Sequence, residues 1–154
     1  MKQNNKSALI ISILIPLAIG SISSFLSRNM MPASFIQTPL SPPAFLFPIV
    51  WTILYILMGI SSYLIYSSQS PDAPKALFTY GLQLFFNFFW SILFFRFSLY
   101  LPAFFWLLAM IVLIIVMIRQ FYKISPLAAY LQIPYLLWCL FAAVLNFMVY
   151  MANR

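Results

Sequence analysis

The chain of 154 residues is 65% hydrophobic and only 6% charged, with a net charge of +7, where soluble domains carry about 25% charged residues. Such a composition belongs to an integral membrane protein, and its eight cations stand singly between apolar runs, which argues against a nucleic-acid-binding face. With no His, no Glu and a single Asp, Asp72, the chain cannot supply a carboxylate pair, a Ser-His-Asp constellation, a metal cluster or the intramembrane acid of an ion-coupled carrier.

The first apolar run, residues 8–27, follows a tail bearing Lys2 and Lys6. It reads as a first transmembrane helix, with a cleavable secretory signal as the alternative, and Pro16 predicts a kink. Residues 28–43 contain Pro32, Pro39, Pro42 and Pro43, which rule out a continuous helix. A connection of this length reads as a lid or binding loop, or else as a plain tether.

The second run, residues 44–66, is long enough at about 1.5 Å per residue to cross a bilayer core of about 30 Å. Trp51, Tyr55, Met58, Gly59, Ser62 and Tyr66 fall on one stripe of it, either a pocket wall or a helix-packing face. A polar turn over residues 67–76 leads to the third run, residues 77–95, where Gln83, Asn87, Trp90 and Ser91 recur at four, three and four positions. Amides in lipid must find partners, so this face points inward, to hydrogen-bond another helix or to meet a ligand.

The fourth run, residues 102–118, is aliphatic beyond Trp106, as suits a helix facing lipid or a second subunit; Arg119, Gln120 and Lys123 finish it. Trp106 reads as an interfacial belt residue. The fifth run, residues 126–150, should bend at Pro134, and Tyr135, Trp138, Cys139, Ala142, Ala143 and Asn146 share a stripe that sets aromatic beside small side chains. Cys139 is the one cysteine, so no intramolecular disulfide framework exists. Leu145, Tyr150 and Arg154 fit a loose cholesterol pattern that carries little weight.

The expected fold is therefore an all-α membrane protein, a five-transmembrane-helix bundle forming a single domain over residues 1–154. Five spans put the termini on opposite sides. Lys2, Lys6, Lys75, Arg119 and Lys123 then gather on one side and Arg28, Arg96 and Arg154 on the other. The positive-inside rule places the amino terminus in the cytoplasm.

Three segments carry a resemblance: the run from Pro42 to Gly59 with FPIVWTILY and LMG, the NFFWS of Asn87 to Ser91, and IPYLLW through Asn146. In this order and spacing they resemble the TspO/MBR family, the tryptophan-rich sensory or translocator proteins, over nearly the whole chain. The resemblance implies a homodimer of five-helix bundles in a bacterial cell membrane, each with a pocket roofed by the first loop. It also implies porphyrins and haem-type tetrapyrroles, sterols or benzodiazepine-like drugs as ligands, with no cofactor required. Carried over, the pocket tryptophans are Trp51 and Trp138, the third-helix polar contacts Asn87 and Ser91, and the small fifth-helix residue Ala142. Where many members have aromatic residues near positions 30 to 32 and a Trp before the Pro-Pro pair, this chain has Met30, Met31 and Leu40.

The ligand-binding set expected from stripes and resemblance together is Trp51, Tyr55, Gln83, Asn87, Trp90, Ser91, Tyr135, Trp138, Ala142 and Asn146. In a receptor or carrier for flat hydrophobic molecules, Trp51, Trp90 and Trp138 would stack and Asn87 would orient a polar edge. A second expectation is a light-dependent porphyrin-degrading enzyme that uses the indoles of Trp51 and Trp138. A third is a scaffold whose stripes only pack helices.

Overall fold

The computed structural model describes residues 6–27, 42–43 and 45–154, which are helical apart from short connections. The long first loop lies outside the described residues, and with it Arg28, Met30, Met31 and Leu40. The helices are α1 (Lys6–Ser27), α2 (Leu46–Ser67), α3 (Ala73–Ser91) with a π-helical turn Ile92–Arg96, α4 (Tyr100–Ile124), α5 (Pro126–Leu131) and α6 (Ile133–Asn153). Among the described residues, five segments are long and apolar enough to cross a membrane, α5 and α6 together forming the last, Pro126–Asn153. The chain is an all-α integral membrane protein.

The helix ends differ from the apolar runs in instructive ways. α3 starts at Ala73 rather than 77, because Pro74 sits in its first turn, where the missing N–H costs nothing. α4 continues to Ile124, past Arg119, Gln120 and Lys123, since helical hydrogen bonds do not require apolar side chains and cations suit a helix C-terminus. It stops at Ser125, whose extended backbone and side chain cap α5 by accepting from the Ala128 N–H at 3.4 Å. The fifth run breaks at Gln132, two residues before Pro134, which then occupies the first turn of α6. α1 runs through Pro16 as one helix.

Around the bundle the order is α1, α2, α5 with α6, α4, α3 and back to α1. Lipid solvates apolar side chains as well as another helix does, so close packing and interhelical hydrogen bonds hold such a bundle. Both are visible at α1. A Cβ on Gly59 of α2 would overlap the Ile13 Cα, and one on Gly20 of α1 would overlap the Tyr55 ring, so these glycines let the two helices touch. The Ser23 hydroxyl donates to the Phe88 carbonyl at 2.9 Å, and an Arg96 guanidinium N–H reaches the Leu26 carbonyl at 3.2 Å, fixing α1 alongside the end of α3. On the opposite side the Ser61 hydroxyl donates to the Ala128 carbonyl at 2.7 Å, joining α2 to α5. The fully buried core includes Met58, Ile65, Met110, Ile114, Met117, Phe121 and Tyr135.

Trp106 departs from the belt expectation. Its indole N–H donates to the Phe86 carbonyl at 2.8 Å and its ring stacks on Phe86 with centroids 4.3 Å apart, so it joins α4 to α3.

Candidate functional site

α2 packs its backbone on α5, whereas it reaches α6 chiefly through rings. Trp51, on the turn preceding Tyr55, stacks on that tyrosine with centroids 5.4 Å apart and planes at 28°. It also meets two rings of α6 edge-on: Tyr135 at 6.2 Å and 69°, and Trp138 at 6.5 Å and 88°. Phe47, one turn before Trp51, closes the other side of Trp138 at 5.9 Å and 69°. Trp51 and Trp138 are half-buried, while Tyr55 and Tyr135 lie in the core. Edge-to-face and offset stacking is the arrangement that the aromatic quadrupole favours, and it presents faces of differing orientation to anything flat that enters.

Beneath the rings runs a continuous hydrogen-bond chain. The Tyr55 hydroxyl donates to Asn87 Oδ1 at 2.8 Å, the Asn87 Nδ2 donates to the Tyr135 hydroxyl at 2.9 Å, and that hydroxyl donates to Gln83 Oε1 at 2.6 Å. Three helices are thereby tied at one level: α2 by Tyr55, α3 by both amides, and α6 by Tyr135. Met110 of α4 lies against the same hydroxyl, its sulfur 3.9 Å away. Gln83 and Asn87 are almost wholly buried, as the cost of an amide in lipid demands. The Gln83 Nε2 has no hydrogen-bond partner among the described residues, so the chain ends in a buried donor of unused capacity.

A second polar station lies farther along α3. The Trp90 indole N–H donates to Asn146 Oδ1 at 3.0 Å, and the Asn146 amide donates to the Tyr100 carbonyl at 2.8 Å, linking α3, α6 and the start of α4. Trp90 stacks on Phe94 at 5.5 Å and meets Phe95 edge-on at 6.1 Å. The structure thus divides the expected set. Trp51, Tyr55, Gln83, Asn87, Tyr135 and Trp138 come together, while Trp90 and Asn146 form a separate joint, so Trp90 does not stack with Trp51 and Trp138. Ser91 is half-buried at the start of the π-helical turn. Ala142 is half-buried one turn beyond Trp138, and its neighbour Ala143 is buried in the core.

Three contributors escaped the sequence reading: Phe47, Met110, and Gly20 against the back of Tyr55. Phe47 alone had a local signal, its place four residues before Trp51. Among the described residues, open grooves lie elsewhere, one where α4 meets α5 and α6 and another between Leu99 and Arg154.

The TspO/MBR family model matches residues 12–151. The chain is 36% identical over 148 residues to the tryptophan-rich protein TspO of Archaeoglobus fulgidus, spanning 94% of this chain and 96% of that one. It is 31% identical over 158 residues to the protein of the same name in Chlorobaculum tepidum, spanning 97% and 99%. To the translocator protein of Homo sapiens it is 35% identical over 120 residues, spanning 73% and 69%.

Proposed function

The chain belongs to the TspO/MBR family, and from that premise we propose that it is a membrane receptor or carrier whose ligands are porphyrins and similar flat, hydrophobic molecules. Ligand binding within the membrane follows from the family; the ligand class is our reading. The observation that carries it is the set of half-buried indoles of Trp51 and Trp138, standing edge-on across the space between α2 and α6 above the Tyr55–Asn87–Tyr135–Gln83 chain. A flat macrocycle entering there would slide its face along one indole, while the free Gln83 N–H, or Asn87 after a shift of its partners, would bind a polar edge. The reading includes a homodimer in a bacterial cell membrane with the amino terminus in the cytoplasm, supported by the excess of cations at the Lys6 and Lys123 end.

The test is titration of the purified protein with protoporphyrin, followed by tryptophan fluorescence. Saturable quenching that falls away in Trp51→Phe and Trp138→Phe is the expected result. Linear, unsaturable quenching would overturn the reading and leave a packing scaffold.

The adjacency of the two indoles favours a second reading, light-dependent breakdown of bound porphyrin. Trp51 contacts Trp138, Tyr55 and Tyr135 at once, so an electron taken from Trp51 by the photoexcited porphyrin, which is thereby reduced, could be replaced from a neighbouring ring. Illumination of the porphyrin complex separates the two: a carrier returns its ligand unchanged, whereas an enzyme bleaches it faster than the Trp51→Phe variant does.

A further inference from the structure

The end of α4 carries a feature that the aromatic site does not use. Arg119 and Lys123 stand four residues apart on one face of the last two turns, both exposed, at the edge of a groove of about 290 Å³ formed with α5 and the start of α6. The groove's walls are apolar, from Ile118 and Ile133, and its rim is aromatic, from Tyr122 and Tyr130, whose rings meet edge-on with centroids 6.1 Å apart. Those two tyrosines are 52% and 59% exposed. In a membrane protein that marks a boundary with the headgroup layer, where amphipathic rings settle.

Among the described residues no carboxylate lines this groove. The chain's single acidic side chain, Asp72, stands at the start of α3 and does not line the groove, so two neighbouring cations here face outward without a carboxylate between them. Like charges at this spacing repel weakly where solvated, and an anion seated against both would relieve that repulsion and gain from each. The volume is small for a whole lipid but suits a glycerophosphate headgroup and its first methylenes, with the rest of the acyl chains running down the outside of α4 past Ile115 and Val112, which are 43% and 60% exposed.

We propose that this groove is a binding site for the headgroup of an anionic phospholipid in the leaflet at the Lys123 end. Arg119 and Lys123 contact the phosphate, Tyr122 and Tyr130 flank the glycerol, and Ile118 and Ile133 receive the upper methylenes. Basic pockets between transmembrane helices recognise acidic headgroups in this way. Because α4 meets α5 and α6 here, an occupied groove would also clamp the break at Gln132, from which α6 carries Tyr135 and Trp138.

The experiment uses the full chain in detergent micelles with phosphatidylglycerol or phosphatidylcholine of identical acyl chains, bound lipid being counted by native mass spectrometry. Phosphatidylglycerol should be retained at concentrations roughly tenfold lower than phosphatidylcholine. The double variant Arg119→Gln, Lys123→Gln should lose that preference, and Arg119→Lys should keep most of it. The double variant Lys6→Gln, Lys75→Gln removes equal charge at the same end and should keep the preference in full; circular dichroism checks that each variant stays helical. Equal retention of both lipids would overturn the proposal. So would an equal fall in the two double variants, which would reduce the effect to bulk charge. Displacement of phosphatidylglycerol by millimolar inorganic phosphate would likewise overturn it, by making the groove a site for free anions.

Discussion

Trp51 and Trp138 stand edge-on at 88° with their centroids 6.5 Å apart, although they belong to helices joined chiefly by rings. Two half-buried indoles in such a space are well placed to part around a ligand, because what separates on entry is a pair of ring edges and not a packed backbone.

Trp51→Phe and Trp138→Phe should therefore leave the bundle folded. Each keeps most of the apolar volume and gives up part of an aromatic pair worth about 0.5–1.5 kcal/mol. Protoporphyrin affinity should fall about three- to tenfold in each, measured by absorbance titration beside a thermal melt in the same detergent. Unchanged affinity in both variants would move the binding site elsewhere in the bundle.

Removing the Tyr135 hydroxyl tests the floor of the site. Tyr135→Phe leaves Asn87 Nδ2 and Gln83 Oε1 without their shared partner, whereas Tyr55→Phe strips only Asn87 Oδ1. Interhelical hydrogen bonds in membranes average about 0.6 kcal/mol, with larger losses where a buried group is orphaned. Tyr135→Phe should cost about 1–2 kcal/mol and Tyr55→Phe about half that. The double variant should cost less than the sum, because both tyrosines act through one carboxamide. Strict additivity in a double-mutant cycle would show that Asn87 does not couple them.

How much of this was legible in the sequence depends on what kind of interaction wrote each feature. The five spans and their buried faces came through because lipid enforces long apolar runs, and because a buried amide such as Gln83 or Asn87 has to face other helices. Helix ends did not: α4 runs on through Arg119 and Lys123, since an apolar run marks the membrane and not the hydrogen-bond ladder. The spacing of Trp90 placed it on the Asn87 face, but nearly one further turn of the helix carries it to a different level, where Asn146 meets its N–H. Trp106 looked interfacial because it stands near the start of the fourth apolar run, while the carbonyl it bonds comes from Phe86 on another helix. A helix-packing face was one of the two readings of the Gly59 stripe, but its partner, α1 with Gly20, was not legible, because a glycine says only that something can come near.

Gly59→Ala should expose that pairing. The added methyl would meet the backbone of Ile13 and the Ser12 carbonyl oxygen, 2.7 Å away, neither of which can swing aside as a side chain does, so α1 must shift bodily. A loss of about 1–3 kcal/mol is expected from overpacking. Gly81→Ala is the control: nothing lies within 4 Å of its new methyl, so stability should hold or rise slightly through better helix propensity. Melting temperatures in one detergent check the order, and equal stability of the two variants would mean that α1 is not held by close approach to Gly59.

The neighbouring alanines of α6 separate pocket from packing within one turn of helix. Ala142 is half-buried and lies four residues after Trp138, so its methyl sits beside the indole, whereas Ala143 is 7% exposed and belongs to the core. Threonine adds a stiff, branched side chain at either position, and overpacking costs about 1–3 kcal/mol wherever the new atoms meet fixed neighbours. At Ala143 those neighbours are other helices, so Ala143→Thr should lower the melting temperature and leave the affinity of the folded fraction close to wild type. If Ala142 lines the proposed site, its neighbour on binding is the ligand, and Ala142→Thr should weaken protoporphyrin binding by roughly tenfold, at 1.4 kcal/mol per decade, with a smaller change in melting temperature. Dissociation constant and melting temperature measured together for both variants decide the matter: an Ala142→Thr protein that melts early yet binds normally would show that this stretch of α6 packs against a helix and does not line the site.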